Sequence, residues 1–154
     1  MTSIDKKSLR HLAREAGEGC ICQRTRKAAR LVTKTYDDAL RPFGLRGTQF
    51  TLLAAAAQAD GGVSISELAE HLGMDRTTLS RNLKPLERDG MIDILDEENV
   101  GRTKTVRLTE SGFAKFAEAA PSWRQTQKQM ISLLAADQLS PLMNGLRSLS
   151  DELS

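Results

Sequence analysis

Aromatic side chains are scarce: four Phe, one Tyr and one Trp make up 4% of the 154 residues. Ala and Leu carry the apolar load instead, which suits a mostly helical protein. Cysteine is nearly absent, and Cys20 and Cys22 are too few for a disulfide framework. The longest unbroken apolar run, Leu52 to Ala57, has six residues, far short of a membrane-spanning helix. The first residues, Met1-Thr-Ser-Ile-Asp-Lys-Lys, lack the apolar stretch of a secretion signal, so the cytoplasm is the expected compartment. With two histidines in the chain, Cys20, Cys22 and His11 would still need a fourth ligand to hold zinc, and His71 falls in another element, so no metal is expected. No nucleophile–base pair at informative spacing and no phosphate loop is present, which argues against an enzyme and gives no reason to expect a cofactor.

What is present describes a folded chain of single-domain length. The net charge of +2 says little, but its distribution says more. Residues 1–46 hold eleven Lys/Arg against five Asp/Glu, whereas residues 47–74 hold three acids and no base. A basic arm on a near-neutral chain is either a phosphate-binding surface or a solvated helix face, and charge alone leaves both open.

Hydrophobic periodicity orders the elements. Residues 5–16 read as a separate or frayed helical arm, because Gly17 and Gly19 disfavour a helix between it and the next stripe. Apolar positions at 21, 28, 32, 36, 39/40 and 43 then mark a long amphipathic helix ended by Pro42 and Gly44. A helix over about 48–59 stops at Asp60-Gly61-Gly62. Ser64 and Glu67 fit a capping box opening a short helix to Leu72, Gly73 closes it, and Asp75 caps the next, which runs to about Asp89. Met91–Leu95 and Thr103–Leu108 read as a hairpin with a polar tip, Thr105 and Arg107 lying opposite Val106 and Leu108. A helix from about Glu110 to Ala136, kinked at Pro121, and a last helix with Ser140 as cap and Pro141 at its first position complete the chain.

The helix after Asp75 carries the functional signal. Leu79, Leu83 and Leu86 share one face and should be core, while Thr77, Arg81, Lys84 and Arg88 lie opposite, with Ser80 at the edge. Hydroxyls and long cations on an outward face suit a DNA major groove, where Arg can fork onto guanine and Thr or Ser can reach phosphates or base edges. Pro85 sits inside this helix and should bend rather than stop it, since the leucine register continues through it. Two short helices joined at Gly73-Met74 and followed by a charged hairpin make a winged helix-turn-helix. The competing reading is a winged-helix module that binds protein and not DNA, which would show apolar residues on that outer face.

The stretch Leu68-Ala-Glu-His-Leu-Gly-Met-Asp-Arg-Thr-Thr-Leu-Ser-Arg-Asn-Leu-Lys-Pro-Leu-Glu-Arg-Asp-Gly-Met91 resembles the DNA-reading segment of the MarR family of bacterial transcription regulators. Val106-Arg-Leu-Thr-Glu-Ser-Gly112 resembles the strand-to-helix junction after the wing, and Gly44-Leu45 with Gln49-Phe50 resembles the start of the family's second helix. The resemblance covers roughly residues 20–153. It implies a mainly α fold with a small β-hairpin wing: one domain over residues 1–154, with a helical dimerisation region of about 1–46 and 110–154 around a winged helix-turn-helix of about 47–109. It also implies a homodimer on a pseudo-palindromic site in double-stranded DNA, commonly a repressor released by a small-molecule effector or an oxidant. The DNA-contacting residues would be Arg76, Thr77, Ser80, Arg81 and Lys84 on the helix, with Arg102 at the wing tip as a minor-groove contact and Lys104 in support. The wing departs from the family's Asp-x-Arg pattern. Its middle arginine is missing, and Glu97 and Glu98 stand where cations would help, so the wing should contribute less affinity.

Cys20 and Cys22 lie two residues apart in an expected helix, where their side chains would point to different sides and no internal disulfide would form. They read either as small packed residues or as redox sensors. Cys22 followed at a distance by Tyr36 resembles the organic-hydroperoxide-sensing branch of the family, in which a first-helix cysteine is the sensor and a tyrosine helps polarise it. Tyr36, Phe43, Phe50 and Trp123 could line a ligand pocket, or could be core on the same apolar stripes.

Overall fold

The structure, a computed structural model, describes residues 5–59, 61–97 and 103–153. The chain forms two compact units, residues 1–35 and residues 36–154.

The first unit is helical. Helix α1 spans Lys6–Gly19, and the Asp5 side chain caps it by accepting from the Lys7 backbone N–H at 3.2 Å. Helix α2 spans Ile21–Leu40 and runs on into the second unit. The break between them falls at Cys20, which is extended at φ −68° and ψ 111°. Gly17 is therefore tolerated inside α1, and the two glycines mark the break only approximately. The Arg24 guanidinium fixes the joint by donating twice to the Glu18 carbonyl, at 2.8 and 3.1 Å, which satisfies an acceptor at the end of α1. This corrects the expectation that both cysteines share one helix. Cys20 lies outside regular helix and Cys22 in the first turn of α2, so helical spacing gives no argument against a bridge between them.

In the second unit, a short 3₁₀ turn, Arg41–Phe43, follows α2 and closes at Gly44, whose φ of 72° lets its N–H reach back to the Arg41 carbonyl. Then come α3 (Gly47–Ala57), β1 (Val63–Ser64), α4 (Ile65–Leu72), α5 (Arg76–Arg88), β2 (Ile92–Glu97), β3 (Thr103–Leu108), α6 (Glu110–Ser132) and α7 (Leu139–Leu153). The expected hairpin is present, pairing Ile92 with Leu108 through to Glu97 with Thr103. It belongs to a three-stranded antiparallel sheet of order β1-β3-β2, because Val63 and Ser64 pair with Val106 and Thr105. Beside this extra strand Gly62 closes over Thr105, which is buried, and a Cβ on Gly62 would stand 2.6 Å from Thr105 Cγ2. The last helix also begins at Leu139, two residues before the expected first position at Pro141, so Ser140 lies inside it and is not its cap. The Gln138 carbonyl accepts from the Leu142 N–H at 3.0 Å, and Pro141 sits in the first turn, where a missing donor costs nothing. Pro121 lies inside α6, which continues past it to Ser132.

One core joins these elements. Leu52, Leu53 and Ala56 of α3, Leu68 of α4, Leu79, Leu83 and Leu86 of α5, Ile92 of β2 and Val106 of β3 are all buried. The last turn of α2 is tied in by hydrogen bonds: Tyr36 donates to Gln127 Oε1 of α6, Ser122 donates to the Ala39 carbonyl at 2.9 Å, and Asp37 accepts from the Gly47 N–H at 2.7 Å. No helix among the described residues is long and apolar enough to cross a membrane.

The strand-to-helix junction locks the sheet to α6. Thr109 caps α6 by accepting from the Gly112 N–H at 3.0 Å, donates its hydroxyl to the Gly90 carbonyl at 2.7 Å, and sends its own N–H to the Met91 carbonyl at 3.1 Å. Gly112 must then lie against Met91, and a Cβ there would meet the Met91 carbonyl oxygen at 2.0 Å. Gly112→Ala should therefore force α6 away from Met91 and cost about 1–3 kcal/mol of stability as an overpacked contact does. Denaturant unfolding checks this, and an unchanged midpoint would contradict the packing described.

Candidate nucleic-acid interface

The interface is built from α4, the turn at Gly73-Met74, and α5. Ser64 and Glu67 form the expected capping box: the Ser64 hydroxyl accepts from the Glu67 N–H, and the Glu67 carboxylate accepts from the Ser64 N–H, both at 3.1 Å. Gly73 ends α4 in the left-handed region at φ 60°. Asp75 then caps α5, accepting from the Thr78 N–H at 2.8 Å and from the Thr78 hydroxyl at 2.6 Å. These bonds hold the Asp75 carboxyl below its ordinary value, the Thr78 hydroxyl contributing most. Asp75 thus satisfies the Thr78 N–H in the first turn, and its carboxylate also takes up the Thr77 N–H.

The leucines decide what α5 presents. Leu79, Leu83 and Leu86 are at most 1% exposed, and each contributes about 1.5–3 kcal/mol by burial. With that side fixed inward, Thr77, Ser80, Arg81 and Lys84 are exposed on the other, and no described side chain engages them. α5 runs through Pro85 to Arg88 without a stop.

Three predicted cations have partners that sequence reasoning missed. Arg76 donates to the Ser66 hydroxyl at 2.9 Å, which bridges α5 to α4 and brings Ser66 beside the turn. Arg88 pairs with Asp89 at 2.9 Å, so its guanidinium is held by a neighbour on the chain, raising the Arg88 pKa and lowering that of Asp89. Lys104 stands opposite Asp96 across β2 and β3, at 4.0 Å. Such pairing follows from strand register, which composition does not reveal. Arg102 and Glu98 lie outside the described residues, as does the side chain of Glu97. The described strands of the wing thus carry two cations, Lys104, faced by a carboxylate, and Arg107, which donates to the Gly61 carbonyl at 3.3 Å.

The aromatic candidates are packed together. Phe50 is buried, with its ring 4.9 Å from that of Phe116 and stacked at 5.6 Å on Trp123, and Phe43 packs against the same core. Tyr36 is partly buried against Gln127, and this desolvation raises its pKa and keeps the hydroxyl a donor. A cavity of about 460 Å³ lies elsewhere, between α3, β1 and α4, lined by Ala55, Gln58, Val63, Glu67, Leu68, Glu70 and His71. Cys20 and Cys22 are free thiols in the first unit, Cys22 exposed and Cys20 half-buried, while Tyr36 belongs to the second unit.

Comparison with known proteins agrees with this geometry. A profile described as the MarR family matches residues 43–103, a span that contains α3, α4, α5 and β2. The transcriptional repressor MprA of Escherichia coli K12 is 30% identical over 118 residues, covering 74% of this chain and 67% of MprA. The M. tuberculosis transcriptional regulator MosR, solved in complex with DNA, is 35% identical, with a TM-score of 0.78 over 87% of this chain and 96% of that one. CouR from Rhodococcus jostii RHA1, solved bound to p-coumaroyl-CoA, shares the fold at 20% identity and a TM-score of 0.74, over 86% of this chain and 96% of its own. A helix-turn-helix with an outward cationic face, a three-stranded winged sheet and these similarities identify the chain as a member of the MarR family of DNA-binding transcriptional regulators, not an enzyme.

Proposed function

We propose that the protein is a homodimeric repressor acting in the cytoplasm, which binds a pseudo-palindromic operator through α5 and leaves it when a small ligand or an oxidant is present. The observation that carries this reading is the outer face of α5. Thr77, Ser80, Arg81 and Lys84 are exposed and unengaged on a helix pinned by three buried leucines. A protein-docking version would expose apolar residues there. In this reading Arg81 forks onto a guanine, Thr77 and Ser80 contact phosphates or base edges, and Lys84 and the helix tip hold the backbone. Arg76, tied to Ser66, positions the turn as well as meeting phosphate, and Arg102 with Lys104 adds a minor-groove contact from the wing.

The dimer reading is supported by α7. This 15-residue helix has no buried residue, yet Leu142, Leu146, Leu149 and Leu153 recur on one side of it, 41–82% exposed. Ile131 and Leu133 near the end of α6 are exposed as well. An apolar stripe of that length is satisfied by a second copy of the same stripe across a two-fold axis. MprA supports repression as the sign of control.

For the releasing signal, the exposed Cys22 thiol supports an oxidant, with Cys20 two residues away. The ligand-bound relative CouR supports a small molecule, for which Tyr36, Phe43, Phe50 and Trp123 would have to open a pocket out of their present packing.

Arg81→Ala should weaken operator binding by about 1–3 kcal/mol and relax specificity at one base pair. Anisotropy titrations of labelled duplexes differing at single positions check this. Equal loss on every duplex would make Arg81 a phosphate contact. Cys22→Ser should bind the operator as the reduced wild type does and no longer release it on addition of an organic hydroperoxide. Release from the variant would eliminate the cysteine as sensor, and wild-type protein that ignores the peroxide would assign control to a small ligand.

A further inference from the structure

The net charge of +2 conceals a division between the two units. Residues 1–35 carry nine Lys/Arg against three Asp/Glu, a net +6, and residues 36–154 carry thirteen against seventeen, a net −4. The unit that holds α5 is therefore acidic as a whole, and the excess positive charge lies in the unit that holds none of the residues assigned above to reading DNA.

Within the first unit the charge is organised. From Ile21 to Thr35, α2 carries Arg24, Arg26, Lys27, Arg30 and Lys34 and no carboxylate. Arg24 is spent on the Glu18 carbonyl. At about 100° per residue the other four fall within an arc of about 100°. On α1, Lys6, Lys7, Arg10 and Arg14 fall within a similar arc, Leu9 and Leu12 share another with alanines, and Glu15 and Glu18 lie outside the basic one. All eight cations of the two ridges are exposed. Among the described residues, Arg26, Lys27 and Arg30 take part in no ion pair.

A solvated helix face does not need this pattern. Exposed helices gain from acid–base pairs at i, i+4, whereas Arg26–Arg30 and Arg30–Lys34 are like-charge pairs at that spacing and oppose the helix. The ridge becomes favourable when a polyanion lies along it. Duplex DNA is the polyanion that complements it best. Its phosphates repeat along a rod, as the cations do along the helix, and releasing its counterions rewards each contact without regard to sequence. A membrane surface fits less well, because the apolar side of α1 offers only Leu9 and Leu12 as bulky groups and no aromatic anchor.

We propose that residues 6–34 form a second, sequence-independent DNA-binding surface, centred on Arg26, Lys27 and Arg30, that acts separately from α5. It rests on the MarR-type reading of α5 only for the presence of DNA as partner. Its function is to hold the protein on bulk DNA and supply the salt-dependent affinity that the acidic second unit supplies poorly.

The test uses the full chain and two duplexes, one containing the operator trimmed to its protected region and one long duplex of unrelated sequence. Binding is followed by anisotropy across a salt series. The variant Arg26→Gln/Lys27→Gln/Arg30→Gln should lose tenfold or more in affinity for the unrelated duplex, with its log–log salt slope reduced by about 2–3, one phosphate per cation removed. Its affinity for the trimmed operator should be unchanged, which also shows that it folds. The variant Arg26→Lys/Arg30→Lys, which keeps the charge, should behave as wild type. An unchanged slope on the unrelated duplex overturns the proposal, and so do equal losses on both duplexes, which would merge the ridge into the operator interface. Capture on vesicles of anionic lipid with no change on DNA would overturn it in favour of a membrane. Wild-type protein that binds the unrelated duplex but no operator would overturn the reading of α5 and leave the ridge standing.

Discussion

What α5 can present to DNA depends on three leucines. Leu79, Leu83 and Leu86 enter the core with almost no exposure, and their burial sets the rotation of α5 about its own axis. A turn of that helix by one residue would carry Lys84 into the place of Leu83 in the core, where unpaired charge is prohibitively costly. The outward face is thus the complement of the inward one, and the caps at either side only fix where it begins and ends. Asp75 starts the helix through Thr78, and the Thr109 hydroxyl, the Gly90 carbonyl and Gly112 clamp the end of the sheet to α6 behind it. The outer face of α5 and the hydrophobic core are therefore parts of one constraint.

That constraint explains why the helix-turn-helix was legible in the sequence. Leucine spacing, a Ser-x-x-Glu capping box, a glycine that closes one helix and an aspartate that opens the next are local signals, and each acts within a turn of where it is written. Thr103–Leu108 was legible for the same reason, since alternation is read along the strand itself. The resemblance to the MarR family rested on these same residues, and the similarities to MprA and MosR agree with it.

What escaped the sequence depends on partners distant along the chain. Strand β1 is two residues long, too short for any periodicity, and its formation is what buries Thr105. The pairing of Lys104 with Asp96 follows from register, and that of Arg76 with Ser66 from the fold of the turn. The break between α1 and α2 fell at Cys20 because Arg24 reaches back to Glu18, a contact that weak helix propensity at Gly17 and Gly19 only hinted at. Phe50, Phe116 and Trp123 come together from helices far apart in sequence, so apolar stripes could not say whether the aromatics packed or lined a pocket.

The division of charge between the two units adds a second level to the account. In the proposed account, specific recognition falls to the outer face of α5 and nonspecific attraction to a separate basic ridge on residues 6–34. Affinity and selectivity are then separable, because phosphate contacts position a protein while base-edge contacts specify the site. The apolar stripe on α7 enters the proposed reading differently: in the proposed homodimer it would pair two such chains so that two copies of α5 face one duplex.

The most direct test of the central claim is a hydroxyl-radical footprint of the reduced protein on the DNA upstream of its own gene. The account predicts two protected half-sites related by a pseudo-two-fold axis and centred about one helical turn, roughly 10 base pairs, apart or a multiple of it. Protection spread evenly along the fragment, with no paired half-sites at any concentration, would contradict sequence-specific binding by a pair of α5 helices.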